Sequence, residues 1–402
     1  MFSDKQLFRV FLLIIVLMFV GSLVITSMLE KNSSLSSKEE YLYESFTAGD
    51  DAPPNKSIAP LGVPQSQRMS TPALGIGKVV QQIMIRPIAS HPAIPLRDQI
   101  QTHTVRVPLT PFRAPRIELP SLTDPSEIPK PFLMYNPRYL VPIRDQGTCG
   151  ACWAFAVCDV LADRAMLATG GIYRKNLSVQ ELLSCFERDG CDGGSPEEAC
   201  MWLGETGRKL VTSRQDPYKQ FSGGYVDTVC KKPSETGIGV NSDQIFSVVE
   251  YIPEIKYDKS ILIKNIQNMK RELWRGGPLY CAMTVYDDLF QFAGTSVYKH
   301  DPKASIIGGH AITIIGYCDK GVDPRPQFKD TGYWICRNSW GNGWPTQTAL
   351  SGYFMVVMGS NECGIESRVG FAQPTLDIFI SPDSTPKPMN QLRIESIQDY
   401  LG

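Results

Sequence analysis

The order of the helix and strand patterns along the chain predicts an α+β fold with two lobes, a helical lobe followed by an antiparallel β lobe. A helical pattern begins at Cys152, two shorter helices follow it, and β-branched and aromatic strand patterns occupy the later part of the chain. A long apolar stretch near the N-terminus predicts a transmembrane helix before both lobes. With 402 residues and 43% hydrophobic content, the chain can form one large or two modest cores.

The apolar stretch at residues 10–29 contains no charged residue and follows Lys5 and Arg9. It is long enough to span a bilayer as a helix, and the two cations favour a cytosolic position for residues 1–9. A cleaved signal peptide is the alternative, but its apolar core is normally shorter and ends at small residues. We therefore favour a single-pass signal anchor that leaves the rest of the chain lumenal or extracellular.

Residues 30–130 are rich in proline, which argues against long helices in this part of the chain. Two interpretations remain open, a flexible stalk and a pro-segment that covers the active site. The most apolar stretch, Val79 to Ile85, is a candidate for docking on the domain that follows. N-glycosylation sequons, which matter only on the lumenal side, begin at Asn32, Asn55 and Asn176.

Helix and strand boundaries are recognisable in the remainder of the chain. The helical pattern from Cys152 ends at Thr169-Gly170-Gly171. Ser178 begins a capping box, and Ser195 precedes a proline and two acids that suit the first turn of a helix. Strands are predicted at Tyr280 to Val285, Ala311 to Tyr317, Tyr333 to Cys336 and Tyr353 to Val357.

Cys152 stands at the positive end of its predicted helix. There the macrodipole and the backbone N–H groups of the first turn favour a negatively charged sulfur, so the pattern predicts a thiolate nucleophile. His310 stands at the head of an apolar strand pattern, and Asn338 follows the next one. The imidazole can exchange a proton with Cys152, and the Asn338 oxygen can fix the tautomer of the ring. Trp340 is a candidate to shield that hydrogen bond from water.

The sequence Cys149-Gly150-Ala151-Cys152-Trp153, together with the segments around His310 and Asn338, resembles the papain family of cysteine proteases, whose signature is Cys-Gly-Ser/Ala-Cys-Trp. The resemblance covers roughly residues 131–372 and implies the papain-like two-lobed fold, with the nucleophile helix in one lobe and the histidine and asparagine in the other. It implies a thiol endopeptidase that acts on proteins or peptides through a Cys152 acyl-enzyme, with His310 as general acid and base. No metal or organic cofactor is expected.

Further residue roles follow from the same resemblance. Gln146 and the Cys152 N–H group would form the oxyanion hole, and Gly193 and Gly194 would pair with the extended substrate backbone. The implied disulfides join Cys149 to Cys191 and Cys185 to Cys230. The pairing of six further cysteines is left open: Cys158, Cys200, Cys281, Cys318, Cys336 and Cys363.

Within the family, the sequences around Gln146, His310 and Cys363 are most similar to the cathepsin B branch. The histidines of the cathepsin B occluding loop are missing, because no histidine occurs between Cys152 and His300, so removal of C-terminal dipeptides is not expected. Arg368 stands where cathepsin B has an acid that favours arginine at the second substrate residue before the cut. We therefore expect an endopeptidase that does not prefer arginine there.

Other interpretations fit the pattern less well. A thioredoxin-like centre expects a strand and a tryptophan before its Cys-x-x-Cys pair. A zinc site formed by Cys149, Cys152, Cys185 and Cys191 lacks a second Cys-x-x-Cys pair. His310 in isolation would be a core histidine, and His300, which lacks a catalytic context, is interpreted as a surface residue. The alternative function is a catalytically inactive papain-like scaffold that acts as a membrane-tethered binding protein.

Composition limits the partners and the compartment. The formal net charge of −1 gives no basic field for nucleic acid, and we expect a monomer. Eleven cysteines suggest an oxidising compartment, in which the ten other than Cys152 can pair evenly. Cathepsin-like enzymes occur on the secretory and lysosomal route and in large DNA viruses, for which the host would supply the membrane. Residues 373–402 are expected to be a C-terminal extension that is disordered before a short final helix.

Overall fold

The computed structural model describes residues 107–119, 129–186, 190–219, 229–253, 258–345, 351–378, 380 and 384–401. The apolar stretch at residues 10–29 and the docking candidate Val79 to Ile85 lie outside these ranges. Within them, no helix combines the length and the hydropathy needed to cross a membrane.

Helices form the first lobe, as the sequence predicts: α1 Cys152–Ala168, α2 Val179–Cys185 and α3 Pro196–Thr206. Helix α1 is buried on almost all of its surface, which places it in the centre of the domain rather than on its edge. Both predicted caps form, because the Ser178 hydroxyl accepts from the Glu181 N–H group and the Ser195 hydroxyl accepts from the Glu198 N–H group.

An antiparallel sheet forms the second lobe. Its strands are β1 Phe132–Tyr135, β2 Gly237–Ser247, β3 Leu279–Tyr286, β4 Ile306–Cys318, β5 Tyr333–Arg337, β6 Tyr353–Val357, β7 Val369–Asp377 and β8 Arg393–Ile394. The strand order is β2-β7-β3-β4-β1-β8, and β5 pairs with β4 and with β6. The four strands predicted from the sequence are β3 to β6, and their pairing places the apolar runs in the core.

One further long helix, α4 Lys259–Arg275, separates β2 from β3. Its apolar residues recur every three or four positions, so it covers the sheet with one face and leaves the other in water. Short 3₁₀ turns follow at Asp287–Gln291 and Glu362–Gly364.

The C-terminal residues differ from the expected disordered extension. Strand β7 continues to Asp377, and the chain later forms α5 Met389–Leu392, β8 and α6 Ile397–Leu401. Strand β8 pairs with β1, and the side chains of Ile397 and Tyr400 are buried. The apolar residues of this tail, more than its prolines, decide its structure, because their burial against β1 offsets the ordering of the chain.

Buried ion pairs join the two lobes behind α1. Arg337 at the end of β5 donates to Asp163 of α1 at 2.7 Å, and both side chains are almost completely buried. Arg164 of α1 donates to Glu272 of α4 at 2.9 Å. Because an unpaired charge in such surroundings is costly, these pairs fix the position of α1 against the sheet.

The cysteines form fewer disulfides than the sequence suggested. Disulfides join Cys149 to Cys191 and Cys185 to Cys230. The expectation that the remaining cysteines pair evenly is wrong, because they lie on separate elements of the core as buried thiols: Cys158, Cys200, Cys281, Cys318, Cys336 and Cys363. In a core of this size a buried cysteine acts as a small apolar side chain, and further cross-links are not needed for stability.

Candidate active site

Cys152 is the first residue of α1 and is fully buried. The chain before it is held in a tight turn, in which the Gly150 N–H group donates to the Cys191 carbonyl oxygen at 2.9 Å. A Cβ atom on Gly150 would lie 2.3 Å from that oxygen, so the position requires glycine. The disulfide between Cys149 and Cys191 ties the same two segments together, with 4.6 Å between the Cα atoms. These contacts fix the start of α1.

The glycine pair after this disulfide lies beside the start of α1. A Cβ atom on Gly194 would lie 2.8 Å from the ring of Trp153, and Gly193 adopts a left-handed φ of 102°. The Trp153 indole N–H group donates to the Gly190 carbonyl oxygen at 3.2 Å. The backbone at Gly194 therefore runs against Trp153, the second residue of α1, where a side chain would not fit.

His310 lies in β4, opposite Met283 of β3, and Asn338 immediately follows β5. Because β5 pairs with β4, the two side chains meet, and His310 Nε2 lies 2.8 Å from Asn338 Oδ1. Both side chains are buried. The Trp340 ring lies 4.8 Å from the imidazole and stacks on Phe290, so this hydrogen bond is enclosed by aromatic rings.

Asn338 is fixed from three sides. Its Oδ1 atom also accepts from the Ser339 N–H group at 2.8 Å, and its own N–H group donates to the Gly352 carbonyl oxygen at 2.9 Å. The preceding residue, Arg337, is anchored to Asp163 of α1. The ion pair therefore links the helix that carries Cys152 to the strand that delivers Asn338.

Gln146 is fully buried beside the same residues. Its Nε2 atom donates to the Cys149 carbonyl oxygen at 2.9 Å, and its Oε1 atom accepts from the Ser339 hydroxyl at 2.7 Å. Its backbone N–H group donates to the Ser339 carbonyl oxygen at 2.8 Å. An amide nitrogen carries two hydrogens, so the side chain retains a second N–H donor in addition to the one used by Cys149.

Residues 107–119 lie along this site. The Val107 N–H group donates to the Gly309 carbonyl oxygen at 2.8 Å, next to His310. A Cβ atom on Gly309 would lie 1.9 Å from the Val107 oxygen, so glycine permits this close approach. Further along, the Leu109 carbonyl oxygen accepts from Arg368 Nε at 3.1 Å. The predicted substrate-binding residue Arg368 thus contacts the chain's own N-terminal segment.

Glu197, in the first turn of α3, makes the most specific contact with this segment. Its two carboxylate oxygens accept from the backbone N–H groups of Arg113 and Ala114, each at 2.7 Å. Burial raises the pKa of Glu197, and the two N–H groups lower it. Beyond this point the segment pairs with β2, where the Ile117 N–H group donates to the Ser247 carbonyl oxygen at 2.9 Å.

Two functional contacts were missed by the sequence analysis. Glu197 was interpreted as an acid that suits the helix dipole, and the contact with residues 113–114 has no local signal because those residues are far away in sequence. Arg337 lies between the predicted strand Tyr333 to Cys336 and Asn338, and no role is predicted for it. An arginine in an otherwise apolar strand is a signal for a buried acidic partner, and α1 offers two, Asp159 and Asp163, which both pair with Arg337.

Comparison with known proteins shows which family the chain resembles. The family model described as "Papain family cysteine protease" matches residues 128–373. "Cathepsin B-like cysteine proteinase 5" of Caenorhabditis elegans is 35% identical over 257 residues, which cover 58% of this chain and 70% of the relative. "Cathepsin B-like CP1" of Giardia intestinalis is 32% identical over 255 residues, which cover 63% of this chain and 75% of the relative.

A solved structure supports the fold. The structure titled "proCathepsin B S9 from Trypanosoma congolense" aligns with a TM-score of 0.54 and 22% identity, covering 74% of this chain and 97% of that chain. The family match covers more than half of the chain, and its relatives share the cathepsin B name. The chain belongs to the papain family of cysteine proteases, in the cathepsin B branch.

Proposed function

We propose that this cysteine protease is an endopeptidase that uses Cys152 as nucleophile, His310 as general acid and base, and Asn338 to orient His310. The single observation that carries this assignment is the buried contact of 2.8 Å between His310 Nε2, on a strand that packs against α1, and Asn338 Oδ1. With Nε2 facing Asn338, the other ring nitrogen, Nδ1, is the one that exchanges a proton with the sulfur.

In the proposed reaction the Cys152 thiolate attacks the scissile carbonyl carbon, and the carbonyl π electrons move to its oxygen. The second N–H donor of Gln146 and the Cys152 N–H group stabilise this oxyanion. As the C–N bond breaks, the His310 imidazolium gives its proton to the leaving amine, and a thioester remains on Cys152. His310 then removes a proton from water, the hydroxyl attacks the thioester, and the released sulfur is again a thiolate.

Endopeptidase activity is tested with peptides that are acetylated at the N-terminus and amidated at the C-terminus. We expect the fragment of residues 131–402 to cut these peptides at internal bonds, because no occluding histidine occurs between Cys152 and His300 to bind a C-terminal carboxylate. Mass spectrometry of the products reads out each cut. Cleavage that requires a free C-terminus and removes two residues at a time would contradict the proposal.

A library of the same blocked peptides, varied at the second residue before the cut, tests the preference for that residue. We propose that Arg368 disfavours arginine at the second residue before the cut, because its guanidinium contacts the bound segment at Leu109 and would repel a cationic side chain there. Arg368→Glu is expected to raise the yield of arginine-containing products by about 10-fold, since a bidentate pair replaces a repulsion. An arginine-rich profile for the unchanged fragment would overturn this assignment.

We also propose that residues 30–130 include an inhibitory pro-segment, rather than a stalk alone. The support is the path of residues 107–119, whose backbone hydrogen-bonds to Gly309, Arg368 and Glu197. A substrate would have to occupy the same space beside His310. The chain is then made as an inactive precursor, and activity appears when this segment leaves.

For the N-terminus we propose a membrane anchor at residues 10–29, with the catalytic domain on the lumenal or extracellular side of the secretory or lysosomal route. The full chain expressed in eukaryotic cells is expected to stay with the membrane pellet after alkaline carbonate extraction. Deletion of residues 1–29 is expected to move it to the supernatant. If expression of the full chain instead yields a protein in the supernatant that lacks the N-terminal residues, this result would support a cleaved signal peptide.

A further inference from the structure

A mixed group of side chains lies apart from the residues assigned to the reaction. His300 lies between the 3₁₀ turn Asp287–Gln291 and strand β4, and Glu362 and Cys363 lie in the turn Glu362–Gly364. One nitrogen, one oxygen and one sulfur atom from these residues lie within 4.8 Å of one another. His300 is only half-buried, with 28% of its side chain exposed, and Glu362 and Cys363 are buried. The interpretation of His300 as a simple surface residue therefore misses its contacts.

The side chains of His300 and Cys363 both contact one carboxylate oxygen of Glu362. His300 Nδ1 lies 2.5 Å from Glu362 Oε1, and the Cys363 thiol donates to the same oxygen at 3.5 Å. The His300 backbone N–H group also donates to this oxygen, at 3.1 Å. The group is therefore more than an ion pair between His300 and Glu362, because the Cys363 thiol contacts the same Glu362 oxygen.

The surrounding residues hold this arrangement in place. The Tyr286 ring stacks on the imidazole at 4.1 Å and 11°, which fixes the plane of the ring. Cys363 adopts a left-handed φ of 54°, a conformation that a non-glycine residue rarely takes without compensation. The Asp288 carboxylate lies nearby and is held by the Tyr298 hydroxyl at 2.7 Å and by the Asp301 N–H group. A second negative charge therefore faces the group.

From this geometry we infer that His300, Glu362 and Cys363 bind a Zn²⁺ ion, with solvent as the fourth ligand. Imidazole, carboxylate and thiolate are the three side-chain ligands that zinc accepts in tetrahedral sites. Such ligands stand about 3.3 to 3.7 Å apart around zinc. The Cys363 sulfur and the Glu362 oxygen already have this spacing at 3.5 Å, whereas His300 Nδ1, now 2.5 Å from that oxygen, has to move away from it to admit the ion. The exposed edge of His300 gives the ion a path from solvent.

Binding must release protons, because zinc takes the thiolate and the neutral imidazole. The thiol proton of Cys363 passes to solvent. The ion's two positive charges are then balanced by the Cys363 thiolate and the Glu362 carboxylate. The catalytic steps proceed without this ion, so the inference stands independently of the proposed reaction.

Cobalt substitution tests the site with a readout that does not depend on activity. The full-length Cys152→Ala chain is used, so that the active-site thiol cannot bind the metal. We expect Co²⁺ to produce a thiolate-to-cobalt absorption band and tetrahedral d–d bands, and Zn²⁺ to displace both. Because the thiolate-to-cobalt band requires a sulfur ligand, Co²⁺ bound only by histidines elsewhere in the chain does not contribute to it.

Variants identify the ligands. Cys363→Ser is expected to remove the thiolate band, and His300→Ala to lower the Co²⁺ affinity by at least about 100-fold, because one of three protein ligands is lost. Cys318→Ser, which changes another buried thiol, should leave the band unchanged. Thermal unfolding confirms that each variant is folded. The inference is overturned if no band forms, if the band survives Cys363→Ser, or if His300→Ala leaves the affinity unchanged.

Discussion

Replacing Cys152 by alanine is expected to lower kcat/KM for peptide hydrolysis by roughly 10⁴-fold or more, because the acyl-enzyme cannot form without the sulfur. His310→Ala is expected to have an effect of similar size, since the two residues act as one unit and their losses do not add. Both effects are measured with the fragment of residues 131–402 and a blocked fluorogenic peptide.

A matched control lies on the same helix. Cys158 is also a buried cysteine of α1, but its thiol donates to the Ser178 carbonyl oxygen at 3.5 Å, away from the residues assigned to the reaction. Cys158→Ala should therefore change kcat/KM by less than about 10-fold and lower thermal stability only modestly, as loss of a small buried side chain does. Equal activity losses in Cys158→Ala and Cys152→Ala would argue against Cys152 as the nucleophile.

The second large effect concerns the precursor. In the full-length chain, Glu197→Ala is expected to speed the reaction of Cys152 with a thiol-directed probe by about 10- to 100-fold, because charge-assisted hydrogen bonds to Arg113 and Ala114 are lost. The segment then leaves the site more often. The rate is measured by intact-protein mass spectrometry over time.

Two further variants distinguish an effect on the bound segment from an effect on the cleft itself. Ala114→Pro removes one N–H donor from the segment and leaves the catalytic domain unchanged, so it should also speed labelling. Glu205→Ala changes an exposed acid on the same helix and should have no effect. If Glu197→Ala speeds labelling but Ala114→Pro does not, Glu197 acts on the cleft itself. The proposal that its contact with the segment is inhibitory would then be wrong.

Local signals predicted the helical lobe well. Helix α1 begins at Cys152, and α2 and α3 are preceded by the capping residues Ser178 and Ser195. Caps and helix periodicity are contained within a few residues, so the sequence carries them completely. The contact between His310 and Asn338 is expected from two successive strand patterns, and the pairing of β4 with β5 supplies its physical basis.

Elements that depend on distant contacts were not predicted. Strand β2 contains the exposed polar run 241–243 between its buried ends, and its register with β7 shifts between Val240 and Ile245. This irregularity hides the two-residue period that marks a strand. Strand β1 is only four residues long, and its partners are β4 and β8 near the other end of the chain. Neither partner can be read from the local sequence.

The measurement that tests the central claim most directly is labelling with an epoxysuccinyl thiol-protease probe, followed by peptide mapping. The folded fragment of residues 131–402 is predicted to take up one probe at Cys152, and His310→Ala to abolish this uptake, while the precursor containing residues 30–130 reacts much more slowly. A folded fragment that takes up no probe, or that is labelled equally well in His310→Ala, would contradict the proposed mechanism. The inactive, membrane-tethered binding scaffold would then become the better account of this chain.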